Sequence, residues 1–154
     1  RPSKITNIFQ GPSLIAPVSV VDNVPLPMLL AGIPLSEAEN RAIGELNRLQ
    51  IGHLALKLPE AISGGESQRA AIARALAIRP RLILADEPTG QLDSATAMQV
   101  IDLLLRSARE LGAAMVISTH DERVAARMPT RWSIQAGHLT APAVGSPTPL
   151  IPVP

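Results

Sequence analysis

The sequence lacks several kinds of side chain whose absence excludes particular chemistry. It contains no cysteine and no tyrosine, and only one phenylalanine and one tryptophan. Without cysteine, the chain can form no disulfide framework, no thiolate-bound zinc site and no cysteine nucleophile. With so few aromatic rings and a net charge of +1, it offers neither the stacking surface nor the basic patch that nucleic-acid binding needs. We therefore expect no nucleic-acid partner, and the lack of cysteine fits a reducing compartment such as the cytoplasm.

Long apolar runs are also lacking. No run approaches the roughly 18 apolar residues that span a bilayer, and the most apolar stretch, residues 25–35, is short and interrupted by prolines. A length of 154 residues, 46% hydrophobic and 18% charged, predicts a globular domain with its own core. The chain begins with Arg1 and shows no signal region, so we expect that upstream residues are missing.

The first half of the chain predicts a strand, a connector and a helix. An apolar run at residues 5–9 is typical of a short strand. Residues 11–35 hold five prolines and one charged residue, and they predict an apolar, irregular connector that something must cover. A capping box of Ser36 and Glu39 then opens a helix predicted to run to Gly52. The apolar face of this helix consists of Leu35, Ala38, Ala42, Leu46 and Leu49.

The second half alternates helices and strands. A second capping box at residues 63–66 predicts a helix that ends at residues 79–80. Apolar runs at residues 82–85 and 113–118 predict buried parallel strands, and the amphipathic stretch 94–111 between them predicts another helix that ends at Gly112. The apolar face of this helix consists of Ala97, Ile101, Leu104, Ala108 and Leu111. This order indicates an α/β fold with a parallel sheet flanked by helices.

The predicted organisation is one domain followed by a tail. Residues 1–140 are expected to form the domain, in which residues 11–80 make the connector and a helical subdomain. Residues 81–140 are expected to make a sheet lobe that ends in a hairpin at residues 132–140. Residues 141–154 hold five prolines and predict a disordered or extended tail.

Polar residues follow both apolar strands of the sheet lobe. Asp86 and Glu87 come after one strand and His120 after the other. Ligands collect beyond the carboxyl ends of parallel strands, where an aspartate can hold Mg²⁺ and a neighbouring carboxylate can activate a water. The alternative is that the acids are only solvated strand ends and that the histidine is a surface or capping residue.

The glycines before the second capped helix also have both a functional and a purely structural interpretation. Ser63, Gly64 and Gly65 would expose backbone N–H groups and the positive end of the helix dipole to a phosphate. Alternatively, Ser63 with Glu66 satisfies a capping box without any ligand.

Five segments follow one another along the chain: Gln10, 62–69, 82–88, 90–93 and 118–121. Their residues and their order closely resemble the ABC ATPase family, in whose terms they match the Q-loop, the signature motif, Walker B with its catalytic glutamate, the D-loop and the H-loop. The resemblance implies a partial three-layer fold, P-loop NTPase-like, with an α-helical subdomain. The subunits that serve lipoprotein release, macrolide export and antimicrobial-peptide export look most similar.

The resemblance implies a role for each residue of the hydrolytic site. Gln10 would contact Mg²⁺ and the attacking water and would sense a transmembrane partner. Asp86 would hold Mg²⁺ through water, Glu87 would be the general base, and His120 would contact the γ-phosphate of ATP.

The resemblance also implies a dimer of ATP-binding subunits. The signature residues would close over ATP held by the opposite subunit, and Asp93 would bridge the two sites. A transmembrane permease would be the other partner, which places the protein on the inner face of the cell membrane. Part of the connector, with Leu14, Val18 and Met28 as candidates, would line a groove for that permease. The signature residues are Ser63, Gly64, Gly65, Glu66 and Gln68.

One family motif has no match. No segment reads G-x-x-x-x-G-K-[ST], and neither lysine, Lys4 or Lys57, follows a glycine. We therefore expect the isolated chain to be an inactive fragment. Two other interpretations stay open: the C-terminal lobe of a non-transport ABC-type ATPase, or a non-enzymatic module that binds a membrane partner or a complete subunit.

Overall fold

The computed structural model of the protein describes residues 5–140 and divides the chain into two units after Ser118. The first unit contains a parallel sheet whose strands lie in the order β1-β2-β3. The predicted strands and their parallel pairing are confirmed, and the α/β prediction with them. The strands are β1 (Ile5–Ile8), β2 (Leu82–Asp86) and β3 (Ala114–Ser118).

Helices connect the strands of this unit. The long helices α3 and α5 both pack on α4, and α4 also contacts β1 while α5 contacts β3. Short 3₁₀ turns at Gly52–Leu54 and Pro59–Ala61 join α3 to α4. The helices are α1 (Val20–Asn23), α2 (Leu26–Leu30), α3 (Leu35–Arg48), α4 (Gly64–Ala77) and α5 (Ser94–Leu111).

Helix α5 matches its prediction at both ends. The Asp93 carboxylate accepts hydrogen bonds from the backbone N–H groups of Ala95 and Thr96, each 3.1 Å long. Gly112 ends the helix with a left-handed φ of +64°, which glycine adopts without strain. The predicted apolar face is buried at Ala97, Ile101, Leu104 and Ala108.

Helix α3 departs from its prediction at its start. It begins at Leu35, and its N-cap is Pro34, which makes no side-chain capping bond. The predicted capping box of Ser36 and Glu39 is therefore wrong, because both residues already lie inside the helix. Leu35 is 57% exposed and does not join the buried face, which otherwise follows the predicted spacing.

The connector is more regular than its prolines suggested, since it contains α1 and α2. Asn23 organises it from a fully buried position. Its side-chain oxygen accepts from the N–H of Ile15 at 2.7 Å, and its side-chain nitrogen donates to the carbonyl oxygens of Ile15, Val18 and Ser19. One amide thus replaces the backbone pairing that prolines deny this segment.

The two faces of the sheet differ in burial. Ile8, Ile83 and Ala85 lie in the core with residues of α4 and α5. On the opposite face, Leu84 is 39% exposed and Val116 is 53% exposed. The prediction of buried strands is therefore wrong for one face of the sheet. In the described part of the chain, the sheet and the helices form two of the three expected layers.

The second unit contains helix α6 (Glu122–Ala125) and a hairpin of β4 (Ser133–Gln135) and β5 (His138–Thr140). Ala136 and Gly137 form its turn, both with positive φ, so the predicted hairpin is confirmed. The predicted tail at residues 141–154 lies outside the described residues. Between residues 5 and 140, none of the helices has the length and apolar character required to cross a bilayer.

Candidate active site

The carboxyl end of the sheet carries the expected acid. Asp86 is the last residue of β2 and pairs in register with Ser118 at the end of β3. The Ser118 hydroxyl donates a 2.5 Å hydrogen bond to the Asp86 carboxylate. Both residues are exposed, so the carboxylate is oriented by its neighbour and still accessible from solvent.

Glu87 follows in an unusual backbone conformation. Its φ is +43°, in the left-handed region that a non-glycine residue occupies only at a cost of order 1–3 kcal/mol. Hydrogen bonds hold it there on both sides: its N–H donates to the Ser118 carbonyl oxygen, and its own carbonyl accepts from the N–H of Gly90, each at 3.0 Å. Strain maintained in this way is typical of functional positions.

The N-terminus of α4 carries the predicted capping box. The Ser63 N–H donates to the Glu66 carboxylate at 2.8 Å, and the Glu66 N–H donates to the Ser63 hydroxyl at 3.3 Å. The Ser63 N–H and the Ser63 hydroxyl both donate to the Glu66 carboxylate, and these two bonds lower the pKa of Glu66. A Cβ on Gly65 would lie 2.6 Å from the methyl carbon of Thr96, so glycine allows α4 to approach α5 at this point. The chain's own side chains complete the cap, as the capping-box interpretation predicted.

Three of the predicted segments meet in the first unit. A cavity of about 70 Å³ is lined by Gln10 and Pro12, by Gly64 and Gln68 of α4, and by residues 91–92. A Cβ on Gly90 would lie 3.1 Å from the side-chain nitrogen of Gln10. The fold therefore brings together Gln10, the start of α4 and residues 90–93, which are distant in sequence.

Asp93 and His120 have different surroundings. The Asp93 carboxylate is the N-cap of α5, and hydrogen bonds from Thr96 and Ala95 lower its pKa. His120 is exposed and belongs to the second unit, together with the helix cap Asp121. The Arg123 guanidinium and backbone hydrogen bonds lower the pKa of the Asp121 carboxyl to about 2.

Sequence reasoning missed three contacts that shape this region. Ser118 orients Asp86, and Arg74 and Gln68 reach from α4 to the segment around Gln10. A serine in register with the strand-end acid was a usable signal for the first contact. No sequence signal pairs residue 74 with residue 13, because helix and loop are 61 positions apart.

The residues fit a magnesium ion that a substrate helps to hold. In residues 5–140, no cluster of three or more histidine, aspartate or glutamate side chains could form a complete metal cage. Magnesium is usually bound by one or two carboxylates together with waters and substrate phosphates. The accessible oxygens of Asp86 and Gln10 suit that mode of binding.

Comparison with known sequences finds a matching family model and several similar proteins. A family model described as "ABC transporter" matches residues 1–90. The lipoprotein-releasing system ATP-binding protein LolD of Legionella pneumophila (strain Paris) is 41% identical over 92% of this chain and 62% of that protein. The LolD protein of Gluconobacter oxydans is 45% identical over 90% of this chain and 60% of that protein. The chain thus spans 60–62% of the length of these two curated relatives.

Solved structures share the fold. CbiO1 from Clostridium perfringens, part of the ABC transporter complex cbiONQ, superposes with a TM-score of 0.81 at 29% identity, covering 89% of this chain and 55% of that one. The ATP-binding cassette MJ0796, in a dimeric post-hydrolysis state bound to ADP and Pi, superposes with a TM-score of 0.78 at 34% identity. That match covers 92% of this chain and 64% of the cassette.

Proposed function

The chain belongs to the ABC transporter family, and from that premise we propose that it forms part of an ATP-hydrolysing subunit that drives a transmembrane permease. The family resemblance and the P-loop NTPase-like fold class are confirmed by the matching family model and the solved cassettes. ATP hydrolysis by the complete subunit, its cargo and its partners are inferences from relatives longer than this chain.

The observation that carries the proposal is the pair Asp86 and Glu87 at the carboxyl end of β2. Asp86 would hold Mg²⁺ through water, with Gln10 as a second oxygen donor, and the bound ion would supply neutralisation of the phosphate charge. Glu87 accepts the proton of the attacking water, and its strained backbone fixes the direction from which it does so. His120 contacts the γ-phosphate, as the motif order implies.

A second copy completes the site in this proposal. Ser63, Gly64, Gly65 and Glu66 present the N-terminus of α4 to ATP on the opposite subunit, where backbone N–H groups and the helix dipole favour phosphate. Asp93 links the two sites. The dimeric MJ0796 cassette supports this assembly.

The proposed cargo rests on the names of similar proteins. Several relatives are named as ATP-binding proteins of lipoprotein-releasing systems. We therefore assign the subunit to lipoprotein or lipid release or export, on the inner face of the cell membrane and against a permease. Residues 11–62 fold as a connector, turns and helices, of which α2 and α3 pack on α4, and this favours a transporter subunit over the C-terminal lobe of a non-transport ABC-type ATPase.

The test uses a fusion protein in which the segment of a LolD relative that carries the phosphate-binding loop, the G-x-x-x-x-G-K-[ST] motif, precedes this chain. The substitution Glu87→Gln is then introduced into this phosphate-loop fusion. The amide keeps the shape of the side chain but cannot accept the proton. Steady-state hydrolysis should fall by about 10²–10⁴-fold while ATP binding and ATP-dependent dimerisation persist. Glu39→Gln, which changes an exposed carboxylate on α3, is the matched control.

Near-normal turnover in the Glu87→Gln fusion would assign the base to another residue, with His120 the next candidate. If the unsubstituted fusion neither binds nor hydrolyses ATP, the chain is better described as a non-enzymatic interaction module.

A further inference from the structure

The segment around Gln10 is attached to α4 at its beginning. We name residues 9–13 the Gln10 loop. The side-chain nitrogen of Gln68 donates a 3.2 Å hydrogen bond to the carbonyl oxygen of Phe9. Gln68 is only 2% exposed, so the donor of this part-buried bond is shielded from water, and the bond joins positions 59 residues apart.

The same helix holds the other end of the loop. The Arg74 guanidinium donates to the Ser13 carbonyl oxygen at 2.8 Å and to the Ser13 hydroxyl at 2.6 Å. Burial lowers the pKa of Arg74, and the two bonds compensate part of the lost hydration of its charge. Gln68 and Arg74 lie about 9 Å apart along the helix axis, at 1.5 Å per residue. They therefore hold the loop at two separate points.

We propose that Gln68 and Arg74 are positioning residues that clamp the Gln10 loop to α4, so that Gln10 and the helix start at Gly64 move as one body. The proposal rests on the proposed function for its catalytic meaning, because it links the residue that would contact Mg²⁺ to the helix that would contact the opposite nucleotide. It also reassigns Gln68: its buried amide supports a loop, in place of the cofactor-binding role expected from the motif.

The side-chain oxygen of Gln68, which takes no part in the bond to Phe9, supports this assignment. Its side-chain oxygen is buried and has no hydrogen-bond partner among residues 5–140. A buried acceptor without a partner is unfavourable, and an apolar side chain of the same length would avoid it. The bond to Phe9 is the contact that explains a glutamine at this position.

The absence of cysteine makes the clamp directly measurable. A single Gln10→Cys substitution gives one attachment point for a nitroxide spin label, at an exposed position of the loop. The electron paramagnetic resonance spectrum of the 154-residue chain then reports the mobility of the loop without any nucleotide. Gln68→Met and Arg74→Met remove the bonds and keep most of the side-chain packing, and Gln99→Met and Arg106→Met on α5 are the matched controls.

Gln68→Met should raise the population of the mobile spectral component about five-fold, the factor that corresponds to one net hydrogen bond, and Arg74→Met, which removes two hydrogen bonds, should raise it more. The double variant should raise it further, whereas Ser13→Ala, which removes one of the two Arg74 contacts, should have a smaller effect than Arg74→Met. Circular dichroism melting identifies any variant that fails to fold. An unchanged spectrum in a folded double variant overturns the clamp, and so does an equal change in the two controls.

A kinetic measurement separates this proposal from the proposed function. In the phosphate-loop fusion with Gln10 intact, Arg74→Met should lower kcat for ATP with little change in KM, because the loop positions Gln10 for the chemical step. A fusion without any ATPase activity contradicts the proposed function, while the spin-label spectra still decide the clamp. A normal kcat in a variant whose loop is mobile contradicts the catalytic role of the clamp.

Discussion

The backbone N–H of Glu87 donates a hydrogen bond to the carbonyl oxygen of Ser118 over 3.0 Å. This bond ties the proposed general base to the last residue of the neighbouring strand, whose hydroxyl also orients Asp86. The two acids are therefore positioned by β3 as much as by their own strand. The left-handed φ of Glu87 is maintained by this pairing and is the source of the first prediction.

Glu87→Gly should stabilise the chain while removing the proposed base. Glycine adopts positive φ without the steric cost that glutamate bears, so we expect a gain of about 0.5–1 kcal/mol in the free energy of unfolding. Urea denaturation measures it. Gln50→Gly, at another positive-φ position, should give a similar gain without loss of ATPase activity in the fusion. A destabilised Glu87→Gly variant would show that the side chain itself stabilises this turn.

Asn23→Ala should destabilise the first unit by about 2–4 kcal/mol, because it removes four part-buried hydrogen bonds to the backbone of residues 15–19. The side chain of Asn23 makes four hydrogen bonds to residues 15–19. Urea denaturation followed by circular dichroism is the measurement, and Asn40→Ala on the exposed side of α3 is the control. A loss below about 1 kcal/mol would mean that water replaces the amide.

The Asp121 carboxyl should titrate with a pKa of about 2 in the folded chain, below its ordinary value of 3.8. Since the folded pKa is lowered, the stabilisation from this cap is present above pH 3.8 and is lost as the pH falls through about 2. Carboxyl carbon NMR shifts follow the titration. Arg123→Met should move the midpoint upward, whereas Arg131→Met should not, and equal midpoints in the parent and Arg123→Met would rule out the pairing.

The connector residues that are exposed to a permease differ from the candidates that the sequence suggested for its groove. Met28 is fully buried and Leu14 and Val18 are partly buried, whereas Leu30 is 90% exposed. Leu30 is the most exposed of the large apolar side chains in residues 11–35, so we choose it as the candidate contact for a partner. Leu30→Glu in the fusion should abolish stimulation of ATPase activity by the permease of the LolD relative and leave basal hydrolysis intact. Leu139→Glu in the hairpin is the control, and full stimulation in Leu30→Glu would exclude this surface.

Local patterns accounted for much of the fold. The capping box at Ser63 and Glu66 and the Gly112 stop of α5 were predicted from neighbouring residues alone, because such caps are made within one turn of a helix. The capping box at Ser36 failed because the same residue types occur inside helices. Pro34 is the residue from which α3 starts, and packing of the later turns stabilises the helix.

The sequence by itself determined the family, the order of the motifs and most element boundaries, because these depend on residue types at short spacing. Only the tertiary structure decided which face of the sheet is buried, that Glu87 is held in a strained conformation by Ser118, and that Gln68 supports a loop. These features depend on contacts between residues as far as 59 positions apart, which form only when strands and helices pack together. The spacing of residue types along the chain does not predict such contacts.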